Sequence, residues 1–184
     1  MPNHCEQDLF ITGPRDVRKQ FLRAITIECP DGEPEIDILE TQYPMPDRLK
    51  GVSTGGCWID GVYVNAWRDI DGKSVAVSDE ELQQNIYEYG AKDWYAWANM
   101  YWGTKWGDYD HAIPTLTNTS LQLHFCSAWS PISKGLIEVS KRWPSLTFNL
   151  HYFEGGAGYK GKLLVKNGVV LEEYDMDYRG FRGG

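Results

Sequence analysis

Long apolar runs are missing from this sequence, and no stretch approaches the roughly 18 consecutive apolar residues that a membrane-crossing helix needs. Basic residues are also scarce: 18 Lys plus Arg face 26 Asp plus Glu, a formal charge of −8. Because phosphate neutralisation requires a basic surface, non-specific binding to nucleic acid or anionic membrane is disfavoured. A partner with a basic surface is the better electrostatic match. Cysteine is limited to Cys5, Cys29, Cys57 and Cys126, without a Cys-x-x-Cys pair, so reduced thiols are expected. Met1 to Glu6 lacks the basic start and apolar run of a signal peptide, which points to a cytoplasmic location. The sequence has no Gly-rich phosphate loop, no helical His-Glu-x-x-His and no nucleophile with base and orienter. Enzyme chemistry, a cofactor and a metal are therefore not expected.

What is present is a folding chain: 184 residues, 42% hydrophobic and 14% aromatic, well outside the composition of disorder. Gln7 to Thr12 read as a strand, Gly13-Pro14 turn the chain, and Val17, Phe21, Ala24 and Ile25 follow at helical spacing. Four prolines, Pro30, Pro34, Pro44 and Pro46, break the next stretch, leaving a short strand at Ile36 to Leu39. A Gly-rich region with a short strand at Val62 to Ala66 leads to a capping box, Ser78 with Glu81, and a helix that Gly90 ends. A second helix is expected from Lys92 or Asp93, with Trp94, Trp97 and Tyr101 on one face.

Further on, Leu121, Leu123 and Phe125 alternate with polar residues as a half-buried strand. Ser130-Pro131 reads as a cap and first-turn proline for a helix carrying Ile132, Leu136, Val139 and Trp143. Leu146, Phe148, Leu150 and Tyr152 alternate in another strand. Asn167-Gly168, between Leu163 to Val165 and Val169 to Leu171, is the clearest hairpin signal. The expected fold class is α+β: a ferredoxin-like antiparallel sheet with helices on one face and a helical insertion. In residue ranges this is one domain over 1–174, with a β-α unit at 6–26, a connection at 27–53, a mainly helical insert at 54–118 and a β-α-β-β unit at 119–174; a flexible tail at 175–184 follows.

Several blocks carry a family resemblance: Met1 to Glu6 with Leu9 to Gly13, Pro44-Met45-Pro46, Trp102-Gly103-Thr104-Lys105-Trp106, and Ala128-Trp129-Ser130-Pro131 leading to Tyr152-Phe153-Glu154-Gly155. Together they make the chain similar to the YubB-like family of plasmid and phage proteins, over Met1 to about Glu173. His4 departs from the family, which has Trp at that place. The resemblance implies a ferredoxin-like C-terminal region and a mobile-element setting, without an activity.

Candidate sites follow from composition. Glu28, Asp31, Glu33, Glu35, Asp37 and Glu40 lie in the Pro-rich connection uncompensated by Lys or Arg, and their negative field suits a basic partner or is a solvated loop. Trp102, Lys105 and Trp106 either stack a base and hold a phosphate or lock a helix end into the core. His124 and His151 share a strand face and could approach one another, with His111 or Cys126 as further metal ligands, but the spacing supplies no convincing full set. His4 with Cys5 is a weaker pair. Arg179 to Gly184 contain Arg-Gly pairs that can touch RNA or form a plain tail. Two functions emerge. One is a non-enzymatic protein-interaction factor that binds a host protein and extends to inhibiting a host defence system, with Glu33, Glu35, Asp37 and Glu40 as contacts. The other is a single-strand nucleic-acid or nucleotide binder using Trp102, Lys105 and Trp106.

Overall fold

The structure is a computed structural model and describes residues 3–30 and 32–178. In chain order its elements are β1 (His4–Thr12), α1 (Arg15–Ala24), β2 (Thr26–Glu28), β3 (Pro34–Ile36), α2 (Ile38–Gln42), β4 (Cys57–Ile59), β5 (Val62–Val64), β6 (Trp67–Ile70), β7 (Lys73–Ala76), α3 (Asp79–Tyr89) and α4 (Trp94–Trp97). After a π-helical turn at Ala98–Trp102 come β8 (Asp108–Tyr109), β9 (Thr115–Leu116), β10 (Ser120–Ala128), α5 (Ser133–Arg142), β11 (Thr147–Glu154), β12 (Tyr159–Lys166) and β13 (Val169–Asp177). The chain divides into two compact units, one made of Met1–Pro44 with Trp102–Gly184 and the other of Met45–Tyr101.

The first unit is the ferredoxin-like body. Its antiparallel sheet runs β13-β12-β11-β1-β10-β8, with β9 also on β10. Period-2 alternation dictates the register, because one face must be apolar throughout. Leu123, Leu9, Leu150 and Leu163 form one continuous cross-strand row, and Leu121, Ile11, Phe148 and Val165 the next. All eight are buried, as are Phe21 of α1 and Leu136 and Val139 of α5. Phe21 meets Phe148 edge-on at 5.5 Å and Trp143 at 5.3 Å, which joins α1, the sheet and the end of α5. The Asn167-Gly168 turn has both residues at positive φ, the geometry that a two-residue hairpin between β12 and β13 needs.

The second unit has a small core of Val52, Ala66 and Val77, against which Leu82 packs. Ser78 accepts from the Glu81 amide and Gly90 closes α3 in the left-handed region, so the cap and the stop signal fall where the sequence puts them, while the Glu81 carboxylate pairs with Arg68. Asp93 likewise caps α4 by accepting from the Ala96 amide.

The structure departs from the sequence reading in four places. Residues 57–76, placed in a mainly helical insert with one short strand at Val62 to Ala66, form two hairpins, β4–β5 and β6–β7, turned at Asp60-Gly61 and Asp71-Gly72; only β5 lies within the expected strand. Of Ile36 to Leu39 only Ile36 is in a strand, as the last residue of β3, because Asp37 accepts the Glu40 amide and starts α2. Ser130 does not cap α5. Its hydroxyl donates to the Gly103 carbonyl, and the buried Gln7 side chain accepts from the Ile132 amide instead. Finally, residues 175–177, assigned to the tail, complete β13, while the Arg-Gly pairs at 179–184 lie outside the described residues.

Arg18 is the largest fully buried side chain. Its guanidinium donates to the carbonyls of Gly13 (3.1 Å), Thr117 (3.1 Å) and Asn118 (2.7 Å), tying the β1–α1 turn to the approach of β10. Arg18→Met preserves the stem but strips three acceptors of their donor, and a loss of about 2–3 kcal/mol in urea denaturation is expected. An unchanged unfolding midpoint would show that this guanidinium does not hold the turn.

Candidate functional site

In the first unit, the β2–β3 hairpin, the start of α2 and the segment 108–114 surround a cleft of about 870 Å³. Its charged rim and floor are Glu33, Glu35, Asp37, Asp108, Asp110 and His111, and among the described residues no Lys or Arg lines it. Leu22, Ile27, Ile36 and Ile113 provide apolar wall, with Ile113 93% exposed.

The floor is built around one carboxylate. Asp108 accepts from the Ile38 amide at 2.7 Å and the Leu39 amide at 3.0 Å, covering the first orphan donors of α2. It also pairs with His111 Nε2 at 2.8 Å, and the two side chains are 0% and 6% exposed. The His111 ring stacks on Phe125 at 4.9 Å, while its Nδ1 is buried without a hydrogen-bond partner. Asp37 Oδ1 accepts the Glu40 amide at 2.8 Å. Burial, then the nearby Asp108 charge, push the Asp37 carboxyl up to about 6, and the Glu40 charge acts in the same direction. The backbone bond and His111 oppose the shift without cancelling it. Negative charge is thus concentrated around this cleft.

The acidic residues picked out from sequence separate on this basis. Glu33, Glu35 and Asp37 converge on the cleft, Glu40 sits in α2 outside its lining, and Asp31 is outside the described residues. His111 enters the sequence reading only as a candidate further metal ligand, and Asp108 is not among its site residues, although Asp-x-x-His next to an acidic neighbour is a visible signal. In the aromatic block, Trp102 is 3% exposed and donates its indole N–H to the Tyr43 carbonyl at 2.9 Å, so it belongs to the core and cannot stack on a ligand. Gly103 adopts positive φ and Thr104 donates to the Ala128 carbonyl at 2.8 Å, which is the helix-end arrangement. Trp106 is exposed, with the Lys105 ammonium 4.8 Å from its ring centre.

His124 and His151 flank Asp8 of β1 in register, on the sheet face opposite the apolar rows. Asp8 lies 2.8 Å from His124 Nδ1. Burial, followed by Lys162, lowers the His151 pKa.

Residues 101–181 match the family model described as the ferredoxin-like domain in Api92-like protein. The fold is also similar to that in the crystal structure of a protein api92 from Yersinia pseudotuberculosis, with a TM-score of 0.50 and 14% identity over 98% of this chain and 100% of that one. At that identity the likeness shows the fold. No curated protein matches the chain. No helix among the described residues is long and apolar enough to cross a membrane.

The two aspartates of the floor have opposite effects on stability. Asp108→Ala leaves two buried amides without an acceptor and should cost about 2–4 kcal/mol in chemical denaturation. The Asp37 carboxyl is raised from 3.8 to about 6, so the folded state binds its proton more tightly than the unfolded chain does. That contribution to stability is complete below the unfolded value and is lost as pH rises through about 6. Asp37→Asn keeps a capping oxygen and removes the charge. Melts across pH should therefore show the variant at least as stable as the parent above about 6, with no advantage in acid.

Proposed function

We propose that the chain is a protein-interaction factor whose cleft receives a basic, partly apolar segment of a partner protein. The observation that carries this reading is the combination in one cleft of five carboxylates, no Lys or Arg, and an apolar wall. A partner Arg or Lys would lay its methylene stem on Ile27 and Ile113 and set its cationic head among Glu33, Glu35, Asp37 and Asp110. Such a cation relieves the repulsion between Asp37 and Asp108, so binding expels the proton from Asp37. Electrostatic steering by a chain of net charge −8 accelerates encounter with a basic surface. Taken with the resemblance to plasmid and phage proteins, the proposed setting is the bacterial host cytoplasm and the proposed partner class is a host protein, with a defence protein as one member.

Nucleic-acid binding is the competing reading. Lys160 and Lys162 lie beside Phe153 and Tyr174 on the open sheet face, but Lys162 is already held by Glu172 at 2.6 Å. The negative chain opposes a polyanion there.

The test is fluorescence anisotropy with a labelled Arg/Leu peptide and, separately, a labelled single-stranded oligonucleotide. Peptide binding should strengthen as pH rises from about 5 to about 7.5, because Asp37 ionises in that range, and should weaken as salt is raised. The variant Glu33→Ala/Glu35→Ala/Asp37→Asn should lose at least about tenfold in peptide affinity with its melt intact. Full peptide affinity in that folded variant, or tight oligonucleotide binding in the parent, would overturn the reading.

A further inference from the structure

We propose that His4, Asp110 and Cys126 form a surface site for one divalent transition-metal ion of the zinc type, with a fourth position open to solvent. Their ligand atoms all lie within 4.8 Å of one another. Donors at the usual zinc bond lengths of about 2.0–2.3 Å stand about 3.5 Å apart in a tetrahedron, so closure onto an ion requires only side-chain adjustment. His4 and Asp110 are exposed and able to make it.

Three separate elements bring these groups together. His4 begins β1, and Cys126 of β10 pairs with Glu6 across the sheet, so alternation puts His4, Glu6 and Cys126 on one face, opposite the apolar rows. Tyr109 of β8 pairs with Cys126 on the other side, and the next residue, Asp110, turns the chain at φ 54. Positive φ is uncommon outside glycine and is best tolerated by Asp and Asn. The Tyr109 hydroxyl lies 3.1 Å from His4 Nδ1 and steadies the ring, the outer-shell contact that metal-bound histidines employ.

The donor set selects the ion. Thiolate and imidazole favour zinc-type cations over magnesium or calcium, which would leave the sulfur unused. Without metal, burial and the charges of Glu6 and Asp110 hold the Cys126 thiol above its ordinary pKa, and a bound dication reverses that field and favours thiolate. Cys5 is distinct: it faces the buried side of β1, and burial pushes its thiol up to about 12. Asp110 also lines the acidic cleft, whereas His4 and Cys126 do not, so variants of those two separate the metal site from peptide binding and a variant of Asp110 does not.

The experiment uses the full reduced chain, stripped with chelator and titrated with Co²⁺. A thiolate-to-cobalt charge-transfer band should appear with one-to-one stoichiometry and be displaced by Zn²⁺, and Zn²⁺ should protect Cys126 from alkylation. Cys126→Ser should abolish the band while Cys57→Ser retains it, and His4→Ala and Asp110→Asn should each weaken Co²⁺ binding by at least about tenfold. Metal-free melts of all four variants check the fold. No charge-transfer band in the parent, a band that survives Cys126→Ser, or unchanged affinity in folded His4→Ala would overturn the assignment.

Discussion

The carboxylate of Asp108 is the constraint on which the cleft depends. A five-residue helix has almost no cooperative stability of its own, and α2 persists because its first amides are accepted from outside the helix. Asp108 supplies that acceptor across 70 positions of sequence, and so anchors the Pro-rich connection to the edge of the sheet at β8. Its hydrogen-bonded contact with His111 Nε2 has the same effect on the segment that follows. Because its amide partners are neutral, the charge is stabilised without being cancelled. Asp37, the cap of the same helix, then feels an anion that it cannot escape, and its raised pKa follows. The structural need for an N-terminal acceptor and the concentration of negative charge in the cleft have one origin.

The sheet was readable because burial on one face imposes a period that survives in the residues. Leu121, Leu123 and Phe125 alternate, and they lie directly across β1 from Phe148, Leu150 and Tyr152. The hairpins β4–β5 and β6–β7 left no such trace. Their strands are three or four residues long, and every residue of β7 is exposed, so neither face demands an apolar set. Only the turn residues and one strand, at Val62 to Ala66 where β5 lies, were visible, and Gly-rich stretches are equally consistent with loops. The error at Ile36 to Leu39 has a related cause: a short apolar run fits strand or helix, and the decision rests with a capping side chain.

Half of the cleft was legible for a similar reason. Glu33, Glu35 and Asp37 stand close together in sequence and show as a local charge excess. Asp108 and His111 contribute only after the fold brings β8 beside α2, and their importance comes from burial, which no residue count reveals. The metal-ligand triad is more distributed still. His4, Asp110 and Cys126 lie on three strands or their ends, and the parity of β1 and β10 combines them only once the register Glu6 to Cys126 is known. The histidine pair that parity alone suggested, His124 and His151, is divided by Asp8 because β1 lies between β10 and β11.

The aromatic block joins the acidic cleft in a single structural argument. Trp102 donates to the carbonyl of Tyr43, the residue that ends α2, and packs against α5 where Gly135 leaves room. A methyl group at Gly135 would lie 2.5 Å from Leu39 Cδ2 and 3.3 Å from the Trp102 backbone, in a place where both side chains are buried. The glycine is therefore required by close approach, since α2 can sit low against α5 only if one helix presents no side chain there. Trp102 holds the C-terminal end of α2 and Asp108 holds its N-terminal end. The short helix is fixed at both ends by residues that enclose it in the core, and that rigidity keeps the Asp37 carboxylate aimed into the cleft. A large indole in the core and a buried carboxylate at the sheet edge are two supports of the same acidic surface, which is why Trp102, within that block, reflects positioning and not contact.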